Sequence, residues 1–123
     1  MQVPILKQGA YLIATVQTAL TDADLKRLQN DLVQRVGRLR SRGVIIDVTA
    51  LDVLDSFASR TLRGLAHMTR LRGAETIIVG VQPDVAYAMV QMGLGLGGVA
   101  TTLDLEEGLA MLDRLTKGRI ARA

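Results

Sequence analysis

The sequence contains no cysteine and no tryptophan, a single histidine, two prolines, and only Tyr11, Phe57 and Tyr87 as aromatics. Each shortage removes a class of function. Without thiols there is neither a disulfide framework nor a thiolate metal site, and a reducing cytoplasm is the natural compartment. With His67 as the lone imidazole, no imidazole metal cluster can be assembled, and a lone histidine on the polar side of a helix is usually a solvated residue. Single-strand nucleic-acid binders interleave basic residues with stacking rings, and only these three rings are present. The 15 basic and 12 acidic residues leave a formal charge of +3, spread along the chain. That mild excess does not require a nucleic-acid partner. No apolar run approaches the roughly 20 residues that cross a bilayer. Met1-Gln2-Val3-Pro4 lacks a charged region followed by a long apolar one, so neither a membrane anchor nor a leader is expected.

What is present is a chain of 123 residues, 49% hydrophobic, which suits one domain over 1–123. Strand and helix signals alternate. A first strand is expected around Val3 to Leu6, then a turn at Gln8-Gly9 and a strand from Tyr11 to Val16. From Asp22 to Ser41, Leu25, Leu28, Leu32, Val36 and Leu39 recur on one helical face, introduced by Thr21 and ended by Gly43. Val44-Ile45-Ile46-Asp47-Val48 is a short apolar run of the kind that buried strands carry. A second helix starts near Ser56, with Phe57, Thr61, Leu62, Leu65, Met68 and Leu71 on its apolar side and Gly73 as its stop. Thr76 to Val81 reads as a strand. Pro83 suits the first turn of a third helix, which runs to Gly93. A weaker strand signal lies at Val99 to Thr102, and Asp104 with Glu107 forms a capping-box pattern before Leu105, Leu109, Leu112 and Leu115. This alternation implies an α/β fold, a mixed sheet of about four to five strands with about four helices.

The search for chemistry returns mostly negatives. Gly93-Leu94-Gly95-Leu96-Gly97-Gly98 matches a dinucleotide fingerprint as a string, but it follows a helix where the motif needs a strand, and reads as a helix end and glycine-rich connection. His67 falls on the polar side of its helix. Asp47, Asp52 and Asp55 cluster after a strand; they fit turn and cap roles better than a magnesium site. No catalytic constellation, cofactor site or metal site emerges, and an enzyme is not expected.

What remains is Asp47 to Phe57, a buried strand passing through a short loop into Asp55-Ser56-Phe57 at a helix start. This segment resembles the STAS domain, the family of sulfate transporters and anti-sigma factor antagonists. Gly80-Val81-Gln82-Pro83 and Met92-Gly93-Leu94 fit the same family, so the resemblance covers essentially the whole chain. Pro4-Ile5-Leu6-Lys7, taken with Asp55-Ser56-Phe57 and Gly80-Val81-Gln82-Pro83, is most similar to the stressosome scaffold branch.

The resemblance implies a non-enzymatic signalling scaffold in which Ser56 is the phosphorylation site and Asp55, Ser56, Phe57, Ser59, Arg60 and Arg63 form the partner-binding surface. The implied partners are an RsbT-like serine/threonine switch kinase, released on phosphorylation, and an RsbR-like STAS co-antagonist in a large hetero-oligomer; alone, the chain would form a homodimer. The alternatives are a stand-alone anti-sigma factor antagonist and the STAS subunit of a lipid-transport system. Phe57-Ala58-Ser59-Arg60 follows the serine where antagonists usually carry small residues or glycine, which disfavours direct anti-sigma binding. Val79 occupies the place of a second acceptor threonine in co-antagonists, so no second switch is expected there.

Physical chemistry independently makes Ser56 a tolerable acceptor. A helix start offers unpaired N–H groups and the positive end of the dipole to a phosphate. The plainer reading is that Ser56 or Asp55 simply caps the helix. Arg60, Arg63, His67 and Arg70 share one side of that helix by their three- and four-residue spacing, as a solvated face or a docking surface for an acidic patch. Tyr87 and Gln91 share the polar side of the third helix.

Overall fold

The computed structural model describes residues 3–121, by backbone alone from 118 on; Met1-Gln2, part of the N-terminal reading above, lie outside these residues. Five strands form one sheet in sequence order: β1 (Ile5–Gln8), β2 (Tyr11–Thr15), β3 (Gly43–Asp47), β4 (Glu75–Val79) and β5 (Ala100–Thr102). β1 and β2 form an antiparallel hairpin, whereas β2, β3, β4 and β5 run parallel. The helices are α1 (Asp22–Leu39), α2 (Ser56–Leu71), α3 (Pro83–Gln91) and α4 (Leu105–Ala121). A mixed sheet with four helices is the expected fold class.

Strand alternation sorts the core into two layers. Leu12, Ala14, Val44, Ile46 and Ile78 face one side and pack with Leu25, Leu28, Leu32 and Val36 of α1, Leu62 and Leu65 of α2, and Val85 and Met89 of α3. Ile13, Ile45, Ile77 and Val79 face the other side, against Leu112 of α4. Because both faces are covered, β3 and β4 read as continuous apolar runs rather than alternating ones.

The caps explain the helix boundaries. Thr21 and Asp24 complete a reciprocal capping box at the start of α1. Its end falls at Leu39, two residues short of the expected Ser41, because Arg40 turns into the left-handed region (φ 51°) and its N–H closes on the Val36 carbonyl. Gly43 is therefore the first residue of β3 and not the helix stop. Asp104 accepts from the Glu107 N–H at 2.9 Å, while the Glu107 carboxylate reaches the Leu103 N–H at 3.3 Å, one residue before the cap. β1 lies two residues later than read, since the Gly9 turn (φ +60°) follows Gln8 directly and β1 runs back from there along β2. Leu71, expected on the apolar side of α2, is 88% exposed; it is the last helical residue and has run beyond its packing partners.

Since β2 to β5 are parallel, each strand delivers the chain to the same end of the sheet, where the following helix begins. The loops after β3 and β4 thus meet there, and that end carries Ser56.

Candidate functional site

The loop between β3 and α2 is held in place from both sides. The Asp47 carboxylate accepts from the Thr49 N–H at 2.9 Å and from the Thr49 hydroxyl at 2.6 Å, which bends the chain as it leaves the strand. The Val48 N–H donates to the Val79 carbonyl at 3.0 Å, and Leu51 and Leu54 are buried as anchors. From the β4 to α3 connection, the Gln82 side-chain amide donates to the Thr49 carbonyl at 2.6 Å. Gly80 makes this approach feasible: its φ is +81°, and a Cβ there would come within 1.9 Å of the Thr49 hydroxyl. Thr49 and Gln82 are the residues that sequence reasoning missed. The signals were available as an Asp-x-Thr turn pattern and a glycine directly after a strand, but nothing in the sequence joins them across the sheet.

This loop delivers Asp55 and Ser56 to the start of α2. Asp55 is the N-cap: its carboxylate accepts from the Ala58 N–H at 2.8 Å, and its carbonyl accepts from the Ser59 N–H at 2.9 Å. Ser56 is consequently the first helical residue, exposed, and its hydroxyl has no bonding duty among the described residues. The N–H groups of Ser56 and Phe57 also remain without a partner among those residues, at the positive end of α2. The capping alternative thus resolves in favour of Asp55, and Ser56 is left open.

The remaining site residues divide by helix phase. Ser56, Arg60, Arg63 and His67 follow one another at spacings of four, three and four along one stripe of α2, with Arg60 and His67 exposed and Arg63 half-buried. Arg70 continues the stripe but is engaged, facing Glu75 at 3.5 Å and the Gly98 carbonyl at 3.5 Å. Phe57 is half-buried against the main core. Ser59, expected on the partner surface, has no exposed area, and its hydroxyl has no hydrogen-bond partner among the described residues. Three positions beyond Ser56 on a helix packed against the sheet, it turns inward with Leu62 and Ala66. Beside Asp55 lies a small apolar hollow of about 120 Å³, walled by Leu20, Leu25, Leu51, Val53 and Leu54.

The acidic cluster separates too. Asp47 serves Thr49, Asp55 caps α2, and Asp52 is exposed between them. Among the described residues, no group of three or more metal-binding side chains converges. On α3, the Gln91 amide donates to the Tyr87 hydroxyl at 3.0 Å on an exposed face. Gly93 to Gly98 form the link from α3 to β5, with Gly93 and Gly98 at positive φ. No helix among the described residues is long and apolar enough to cross a membrane.

A mixed five-stranded sheet with a capped serine-bearing helix at one end defines a protein class, and comparison with known proteins gives the same one. The sequence model of the STAS domain matches residues 2–104, and the chain belongs to the STAS domain family. Within that family it is similar to stressosome proteins. A serine-to-glutamate variant of RsbS from Moorella thermoacetica is 32% identical, with a TM-score of 0.81 over 95% of this chain and 99% of that one. A chain of the stressosome, described as a signal integration and transduction hub, is 33% identical, with a TM-score of 0.74 over 91% of this chain and 97% of its own length. The RsbT co-antagonist protein RsbRA of Bacillus subtilis (strain 168) is 28% identical over 109 residues, 89% of this chain. The chain spans only 38% of that curated relative's length.

Proposed function

We propose that this protein is an RsbS-like scaffold that acts by binding and not by catalysis. With an RsbR-like STAS co-antagonist it captures an RsbT-like serine/threonine switch kinase, and phosphorylation of Ser56 releases that kinase. The observation that carries the proposal is the division of labour at the start of α2. Asp55 does the capping, which leaves the exposed Ser56 hydroxyl free for transfer. A phosphate there meets the open Ser56 and Phe57 N–H groups, so local structure tolerates it.

The same phosphate adds about −1.5 to −2 charge beside Asp55 and changes the surface that a docked kinase must match. Arg60 and Arg63, on the same stripe, supply the adjoining charged contacts, and Phe57 with the neighbouring hollow supplies the apolar ones. Similarity to RsbS over nearly the full length of both chains supports the scaffold reading over a stand-alone antagonist.

The test is a pull-down of the cognate kinase with ATP, followed by phosphosite mapping. Ser56→Ala should capture the kinase and fail to release it, whereas Ser56→Asp should bind weakly. Phosphate found solely at another serine would sink the assignment.

A further inference from the structure

At the end of the sheet opposite Ser56, the last turns of α1 and α2 and the start of β3 enclose an open cleft of about 570 Å³. Arg40, Arg42 and Arg72 line it, together with Ser41, Gly37 and Gly73. All three arginines are exposed, and among the described residues no carboxylate forms an ion pair with any of them. The backbone donors nearby are already committed: the Ser41 N–H to the Val36 carbonyl at 3.1 Å, and the Arg42 N–H to the Ala10 carbonyl at 2.8 Å. The free donors of the cleft are therefore its guanidinium groups and the Ser41 hydroxyl.

Cations at helix C-termini complement the macrodipole, which accounts for Arg40 and Arg72 individually. It does not account for Arg42, which precedes a strand, or for Gly37. Glycine is unfavourable inside a helix, yet Gly37 stands in the last turns of α1, where the Arg72 guanidinium lies against it. A Cβ at Gly37 would sit 1.8 Å from Arg72 Nη2. The guanidinium therefore lies over the last turn of α1, although as the end of a flexible side chain it would swing aside at little cost. The lining includes no aromatic ring to stack a base and no carboxylate to bind a sugar hydroxyl.

We propose that this cleft is a binding site for a compact oxyanion of the phosphate class carrying two or more negative charges, gripped by guanidinium forks. It is separate from the Ser56 switch. α2 puts about 24 Å between its two ends, so a phosphate on Ser56 cannot reach the cleft of its own chain. The phosphate can be free in solution or the headgroup of a lipid, and the two sources are separable by experiment.

The test is calorimetric titration of inorganic pyrophosphate into the full chain, with co-sedimentation on phosphatidic acid vesicles as the second arm. Saturable binding at one site is expected, weakened about tenfold by Arg72→Gln through loss of a charge-assisted contact. Arg40→Gln and Arg42→Gln should each weaken it comparably, while Lys26→Gln, which removes the same charge outside the cleft, should not. Circular dichroism melts establish that each variant is folded. Vesicle capture that depends on Arg72 would assign the lipid headgroup, and pyrophosphate binding without vesicle capture would assign the free anion. The site is refuted if millimolar pyrophosphate fails to bind, or if Lys26→Gln weakens binding as much as Arg72→Gln, since the attraction would then be diffuse charge and not a built cleft.

Discussion

Two serines three positions apart on α2 have opposite fates. Ser56 is exposed and unbonded among the described residues, so Ser56→Ala should leave the unfolding midpoint within error and, if Ser56 is the proposed acceptor, abolish phosphorylation. Ser59 is fully buried with an unpaired hydroxyl. Removing a buried polar group that has no partner relieves its desolvation cost, so Ser59→Ala should raise stability by up to about 1 kcal/mol in urea titrations. Asp55→Ala should cost about 1 kcal/mol, the usual value of an N-cap. Gly80→Ala combines a forbidden φ with a clash on Thr49, and about 2 kcal/mol or more of destabilisation is expected. Ser56 itself was legible in the sequence, because an Asp-Ser pair before an apolar periodic run marks a helix start. The burial of Ser59 was not, because it depends on which side of α2 the sheet lies.

Helices α1, α2 and α4 were legible from their apolar periodicity, and β3 and β4 from their unbroken apolar runs. Boundaries were less so. Arg40 ends α1 by adopting a conformation that glycine or asparagine usually takes, so nothing in its identity announces the stop. Phosphorylation belongs to this scale, since a helix-end phosphate interacts with the whole α2 dipole. That attraction offsets repulsion from Asp55, and the modified and unmodified proteins should differ by only about 1 kcal/mol in thermal unfolding. If the proposed kinase capture holds, kinase affinity should nevertheless fall about tenfold or more. A largely unfolded phosphorylated form would instead mean that release comes from a melted surface.

A pH effect is expected between β2 and α4. Burial, and then the hydrogen bond to Asp113, hold the Tyr11 hydroxyl above its ordinary value, outweighing the opposing pulls of Thr116 and Arg42. A phenol whose folded value is raised stabilises the protein fully below its unfolded value of about 10 and loses that contribution as pH climbs through the folded value. Urea midpoints should therefore decline above about pH 10, and Tyr11→Phe should remove this part of the decline.

At the scale of the whole molecule, the parallel strands create two poles. Asp22, Asp52, Asp55, Asp84 and Asp104 gather where the helices begin, whereas Arg40, Arg42 and Arg72 occupy the other end. Each sign complements the helix dipoles at its own end, and Ser56 sits on the acidic pole. The sheet faces are covered unequally as well. α1, α2 and α3 share one face, but α4 alone packs on the other, against β3, β4 and β5. Leu6 of β1, paired with Ile13 and hence on the α4 face, is 62% exposed. One exposed leucine is no docking patch by itself, but the family resemblance implies a homodimer, and two-fold pairing is the commonest form of association. On that expectation, light scattering of the purified chain should give a dimer mass. If the scaffold reading holds, mixing with the cognate RsbR-like co-antagonist should shift that mass to a particle many times larger, because each partner then supplies surfaces that the other lacks. Phosphomimetic Ser56→Asp should leave the large particle intact, since the added charge lies on one pole and the fold beneath it is unchanged, while kinase no longer co-elutes. A dimer that persists unchanged beside the co-antagonist would favour the stand-alone antagonist, and a particle that dissolves with the phosphomimetic would place the switch in assembly and not in kinase docking.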